Sequence, residues 1–278
     1  MPLKICVLGS GSSGNCTVIW TAASAILVDC GGLGADYIAA NLKKIRVPFS
    51  KIKGILITHG HRDHLDKESG LAIAASHKIP IYIHKKTISE FRDHVNLANF
   101  YKRRLIKHHT LSSFRIGDFM IKPFEVFHDS GYAGKPFGFC ISYEYHSEKY
   151  KVGYITDTGK IDTKIIGFLK NCRATVIEAN YDERLLEKSD RFNKRWVGSD
   201  TGHLNNLDTG RAIVEIKKTS VSHNALRHVF LAHISEEHNK VKRALAQVKR
   251  VLSENGIKNV RLLPTHHWKI SNIVNVAR

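Results

Sequence analysis

Gly54-Ile55-Leu56-Ile57-Thr58-His59-Gly60-His61-Arg62-Asp63-His64-Leu65-Asp66 runs from an apolar strand directly into a cluster of histidine and aspartate. In an extended stretch, residues two apart point to the same side. His59 and His61 are therefore placed to grip one metal ion together. The chain must then turn, which lets Asp63 and His64 face a second ion. Imidazole and carboxylate suit Zn, Mn or Fe. Ion pairs separated by about 3.5–4 Å are the usual arrangement for hydrolysing phosphate esters. A solvated, histidine-rich turn is the bland alternative, but four candidate ligands within six residues at a strand end argue against it.

Outward from this stretch, apolar runs of strand length recur. They include Leu3–Gly9, Thr17–Trp20, Ala25–Asp29, Ile79–His84, Phe119–Phe127, Phe137–Tyr145, Lys151–Thr156, Ala174–Glu178, His228–Ala232 and Asn259–Leu263. Many are continuous and rich in Val and Ile, as strands covered on both faces are. Helical spacing appears over Ala35–Lys44, Lys67–Ser76, Thr163–Lys170, Leu207–Lys218 and Glu236–Glu254. In the last, Val241, Leu245, Val248 and Leu252 form one stripe and Gly256 follows as a C-cap candidate. Tyr143–Tyr150 reads as a hairpin. The order of strands and helices is repeated loosely in the second half, which predicts an α+β protein built as a four-layer αββα sandwich. No low-complexity linker divides residues 1–278, so one domain is expected. The polar stretch Asp182–Asp200 is the candidate mobile excursion.

The bulk composition fits a globular chain: 278 residues, 42% hydrophobic, 24% charged. The absence of an 18-residue apolar run predicts no membrane helix, and the start lacks a signal-peptide cleavage site. Five scattered cysteines without a CxxC make a disulfide framework unexpected and point to a reducing cytoplasm. A net charge of +18 favours an anionic partner, nucleic acid first among them, although excess Lys and Arg also serve solubility.

The H-x-H-x-D-H cluster resembles the signature of the metallo-β-lactamase superfamily. Four further segments match that family in order: Leu27-Val28-Asp29-Cys30-Gly31, Val126-Phe127-His128-Asp129, Tyr154-Ile155-Thr156-Asp157-Thr158-Gly159 and Phe230-Leu231-Ala232-His233-Ile234-Ser235. The resemblance implies two divalent metal ions. His59, His61 and His128 would hold one, Asp63, His64 and His233 the other, with Asp157 bridging. Asp29 would support the site from behind. His108, His109, His223, His266 and His267 are left as surface or structural residues.

Gly9–Thr17, Glu178–Asp182, Ser199–Asn206 and Ala232–Asn239 further resemble the YycJ/WalJ subgroup, which is similar to the tRNase Z and RNase J nucleases. The chain departs from the RNA-processing members. Asp157 and His233 stand too close in sequence for a β-CASP insert, and no long Gly/Pro-rich arm is present. The resemblance implies a phosphodiesterase, and a DNA exonuclease before an RNase, with attack from the 5′ end. Asp63 and Asp157 would orient the attacking group, and His203, between Gly202 and Leu204, would help the leaving oxygen or approach a phosphate. Ser10, Ser12, Ser13, Asn15 and Asn205 are candidate phosphate contacts, with a tight turn as the equal alternative for the Ser/Gly loop. In Arg191-Phe192-Asn193-Lys194-Arg195-Trp196, cations alternate with aromatics, a pattern suited to nucleic acid. A cyclic-nucleotide phosphodiesterase of the same fold is the competing enzyme reading. A nucleic-acid-binding protein without catalysis is the competing reading from another class. Oligomeric state is not legible.

Overall fold

The computed structural model describes residues 3–90, 97–131, 134–221 and 225–276, and at 89 and 90 the backbone only. His223 lies outside the described residues. The chain runs β1 (Lys4–Gly9), β2 (Asn15–Trp20), β3 (Ala25–Gly31), α1 (Ala35–Lys44), β4 (Ile52–Leu56), α2 (Gly70–His77), β5 (Ile81–His84), α3 (Lys85–Glu90), α4 (Ala98–Lys102) and β6 (Ile106–His109). It continues through β7 (Phe114–Ile116), β8 (Phe119–Glu125), β9 (Phe137–Tyr145), β10 (Glu148–Ile155), α5 (Thr163–Leu169), β11 (Ala174–Glu178), α6 (Glu183–Glu187), α7 (Lys194–Val197) and α8 (Asn206–Thr219). β12 (His228–Ala232), α9 (Val241–Glu254), β13 (Arg261–Pro264) and β14 (Val274–Asn275) complete it.

Two seven-stranded sheets result, in the orders β14-β1-β2-β3-β4-β5-β6 and β13-β12-β11-β10-β9-β8-β7. Each has an antiparallel part and a parallel part. β3 to β6 are parallel to one another, and so are β10 to β13. Period-two alternation sorts the side chains. Ile5 and Val7 of β1 face the second sheet and join Phe119, Phe139, Val152 and Phe230 in the layer between the sheets. Cys6 and Leu8 face outward, into the layer beneath α1 and α2. The outer face of the second sheet packs under α5, α8 and α9 through Ile165, Ile213 and Val248. The expected αββα sandwich is thus the observed one. No helix among the described residues is long and apolar enough to cross a membrane. All five cysteines are buried free thiols.

The hairpin closes at the Tyr145–Glu148 pair through His146 and Ser147, both at positive φ, as a two-residue primed turn requires. Three elements differ from the sequence pattern. α9 starts at Val241, not Glu236, because Asn239 is buried and spends its amide on the carbonyls of Ala179 and Asn180. α2 begins only at Gly70, after a turn in which Asp66 Oδ1 accepts the Ser69 amide. Asp182–Asp200 carries two short helices and is pinned by a small core of Tyr181, Leu186 and Val197.

Candidate metal centre

Parallel strands that start together also end together, and the ends of β3, β4, β10, β11 and β12 gather at one edge of the sandwich. Within three residues of these ends stand Asp29, the Thr58-His59 step, Asp157, Glu178 and His233. Asp29, Asp157 and His233 take the left-handed conformation, with φ of 54, 53 and 51°. That region costs a non-glycine residue on the order of 1 kcal/mol and is least unfavourable for Asp, Asn and His.

His59, His61 and His128 converge with one ring nitrogen each within 4.8 Å of the others, and so do the ligand atoms of Asp63, His64 and His233. Asp157 belongs to two further groups, one with His59 and His64 and one with Glu178, His203 and His233. His59 Nε2 and His61 Nδ1 are 2.9 Å apart. His128 donates Nδ1–H to the Gly202 carbonyl at 2.9 Å, which leaves its buried Nε2 without a hydrogen-bond partner among the described residues. A buried, orphaned imidazole nitrogen facing two others is the donor set a divalent cation satisfies. The residues present therefore fit metal binding.

The supporting contacts fix which nitrogen each ring presents. Asp29 Oδ2 lies 2.9 Å from His64 Nδ1, so His64 offers Nε2, at 3.1 Å from Asp63 Oδ2 and 3.2 Å from Asp157 Oδ2. Asp29 is held in turn by the Thr58 amide and hydroxyl and by the Tyr154 hydroxyl. On the opposite sheet, Glu178 plays the matching part. Its Oε1 lies 3.1 Å from His233 Nδ1 and 2.8 Å from His203 Nδ1, and its Oε2 accepts the Thr158 and Leu204 amides. Sequence pattern alone gives Glu178 no role. Its signal is a carboxylate that closes an apolar run, as the last residue of β11.

The two ligand groups differ electrostatically. Burial pushes the His59, His61 and His128 imidazolium forms down, so these rings are neutral. Burial acts the same way on His64 and His233, but the carboxylates Asp63, Asp157, Asp29 and Glu178 outweigh it. His64 is held well above the ordinary histidine range, and His233 rises to about 10. Burial alone would raise Asp63 and Asp157, yet the neighbouring His64 and His233 hold both below the usual carboxylate range.

The candidate phosphate contacts divide. Ser12 and Ser13 are exposed and, with Arg62, Asp63 and Asp66, line a hollow of about 440 Å³ beside the cluster. Ser10 and Asn15 are buried and turned inward. Ser10 Oγ accepts the His233 amide and donates to Asn15 Oδ1, while the Asn15 amide donates to Asp63 Oδ2 at 3.1 Å. They position ligands and do not open toward a phosphate. Asn205 is the N-cap of α8, accepting the Asp208 amide. The Ser/Gly loop is also a tight turn: a Cβ on Gly32, at φ +70°, would run into the Ser13 carbonyl. His267 packs against Gly11 of this loop close enough to feel the Asp63 carboxylate, and its buried Nε2 has no hydrogen-bond partner among the described residues, whereas His109 stacks on Phe114.

A model of the β-lactamase superfamily domain matches residues 24–234. The chain belongs to this superfamily. It is a hydrolase of that fold. It is 31% identical over 260 residues, 92% of this chain and 91% of the other, to the exodeoxyribonuclease YycJ of Bacillus anthracis, and belongs with that family too. It is 28% identical over 241 residues, 85% of this chain and 83% of the other, to the exodeoxyribonuclease WalJ of Streptococcus pneumoniae serotype 2. The metallo-β-lactamase fold protein YhfI of Bacillus subtilis superposes with a TM-score of 0.68 at 18% identity, covering 99% of both chains. For a superfamily member, the edge where five strand ends meet is where divalent metal is expected to bind, and the donor set described above agrees.

Proposed function

We propose that this superfamily member is a metal-dependent phosphodiesterase acting on nucleic acid, a DNA exonuclease that works from the 5′ end. The observation that carries the reading is the His203–Glu178 pair at the rim of the ligand cluster. When the P–O bond of a phosphodiester breaks, its leaving group is an alkoxide, which departs slowly unless a proton reaches it. His203 stands 3.8 Å from Asp157 through the same Nδ1 that Glu178 holds at 2.8 Å. Its Nε2 is thereby left to face the substrate and hand a proton to the leaving oxygen. The names of the curated relatives, both exodeoxyribonucleases, and the net charge of +18 support a polyanionic DNA substrate.

His59, His61 and His128 would hold one divalent ion and Asp63, His64 and His233 a second, with Asp157 between them. Zn, Mn or Fe so held supplies Lewis acidity and a water acidified to near neutral pH. The chain's own residues do the rest. Asp63 and Asp157 accept hydrogen bonds from the attacking water and set its direction. Asn15 holds Asp63 at its angle, and Asp29 and Glu178 fix the tautomers of His64 and His233. Ser12, Ser13 and Arg62 offer hydroxyls and a cation to the phosphate beside the reacting one.

The test is a cleavage assay with Mn or Zn on end-labelled single- and double-stranded DNA, RNA and cyclic nucleotides, with Asp63→Ala as control. Stepwise loss of nucleotides from the 5′ end of DNA, abolished by the substitution, is the expected result. Turnover of cyclic nucleotides alone would move the substrate to small molecules, and turnover of none would refute the reading.

A further inference from the structure

The charged excursion between β11 and α8 places two aromatic rings in contrasting positions. Trp196 sits against the ligand cluster: its ring centroid is 5.6 Å from His128 and 5.2 Å, edge-on, from His203. Phe192 is 98% exposed. It lies one helical turn upstream, at the tip that leads into α7.

That tip is cross-braced. Ser189 Oγ lies 2.8 Å from His238 Nε2, Arg191 pairs with Glu237, and Lys194 donates to the carbonyls of Ser189 and Glu187. At its base, Asp182 caps α6 and is held by Arg243 and Gln247 of α9. The far end is tied to the reaction site, where the His203 amide donates to the Val197 carbonyl at 2.9 Å. Phe192 is thus presented to solvent by a fixed scaffold. Arg195, one residue before Trp196, is exposed and has no ion pair or hydrogen bond among the described residues.

A protein partner would want a contiguous apolar patch around Phe192. The ring stands instead among Arg191, Asn193, Lys194 and Arg195. Isolated rings between cations are the pattern that binds single-stranded nucleic acid, with bases on the rings and phosphates on the cations. Trp196 lies against the ligand cluster and Phe192 stands in solvent four residues upstream, so a base stacked on Phe192 belongs to a nucleotide beyond the reacting one.

We infer that Phe192 is a base-stacking contact for a nucleotide beyond the reacting one, held on the protein side by Trp196 and on the backbone side by Arg195, and that it makes the enzyme prefer a polynucleotide to a mononucleotide ester. The inference rests on the phosphodiesterase reading above. A mononucleotide ester reaches Trp196 but ends before Phe192. A polymer reaches both.

The experiment compares the metal-loaded full chain with Phe192→Ala and Phe192→Trp. The substrates are a single-stranded oligodeoxynucleotide, a p-nitrophenyl ester of thymidine monophosphate, and oligonucleotides with one abasic residue moved along the first four positions. Phe192→Ala is expected to lower kcat/KM on the oligonucleotide roughly tenfold, mostly through KM, and to lower the ratio of oligonucleotide to ester by a similar factor. Phe192→Trp restores that ratio. One abasic position costs the wild type a comparable factor and costs Phe192→Ala nothing more, because the same stack is already lost. Cleavage of oligonucleotide by the wild type with a ratio that Phe192→Ala leaves unmoved would overturn the inference alone. So would equal losses on ester and oligonucleotide, or abasic and Phe192→Ala penalties that multiply at every position. A wild type that cuts neither substrate would overturn the phosphodiesterase reading, and this one with it.

Discussion

The two halves of the sandwich supply the ligand cluster in different ways. In the first, β4 delivers His59, His61, Asp63 and His64 within six residues, and β3 adds Asp29 behind them. In the second, His128, Asp157, Glu178, His203 and His233 come singly, one per strand end or loop. Yet the halves share a device. Asp29 and Asp157 take the same left-handed conformation near the ends of parallel strands, and Asp29 holds His64 by its Nδ1 as Glu178 holds His233 and His203 by theirs. This site depends on where parallel strands stop, and only secondarily on how closely its residues lie in sequence.

Asp63 touches His64 and His233 and so joins the halves, and the largest effect is expected there. Asp63→Ala is expected to lower cleavage by on the order of 10³-fold or more, with circular dichroism unchanged and bound metal reduced by elemental analysis. Activity within tenfold of wild type would show that the halves work independently. His203→Ala, a loss confined to the second half, should cost roughly 10²–10⁴-fold in kcat with metal content retained. That loss should shrink on a p-nitrophenyl ester, whose leaving group needs no proton.

Asp29→Asn and Glu178→Gln test the shared device directly. Each should cost about 10–100-fold in metal affinity or activity, since each removes the acceptor that fixes a tautomer. Glu178→Gln should also alter the pH profile of kcat, because Glu178 holds His203 as well, and Asp29→Asn should not. Identical profiles for the two variants would dissolve the distinction.

A smaller effect concerns the metal-free protein. The folded chain holds His233 at about 10, above the ordinary value near 6.5. A raised value stabilises fully below about 6.5 and loses that contribution as pH rises toward about 10. Chelator-treated protein should therefore show Tm falling from pH 6.5 to 10, and metal-loaded protein should resist that fall. A flat Tm in chelator would show that the carboxylates of the second half do not hold the proton. Smallest of all, Asn205→Ala should cost about 1 kcal/mol of stability as a lost helix cap and leave KM unchanged. A raised KM would return Asn205 to the phosphate.

The sequence by itself determined the contiguous part of this protein. Strand and helix patterning specified the αββα sandwich, because burial on one or both faces imposes periods that survive in a single chain. The H-x-H-x-D-H run specified metal chemistry, because extended backbone fixes which side each of its residues faces. His128, Asp157 and His233 were legible only as strand-end residues in an order resembling a known superfamily. What tertiary structure alone decided was everything that depends on two strands ending at one edge. It showed the closing of the ligand groups, Glu178 as the partner of both His203 and His233, and the inward turn of Ser10 and Asn15. It also placed Trp196 against His128 while leaving Phe192 in solvent. Such contacts span up to 223 residues of chain, as from His233 to Ser10, and local patterning carries no record of which distant strand end will lie alongside.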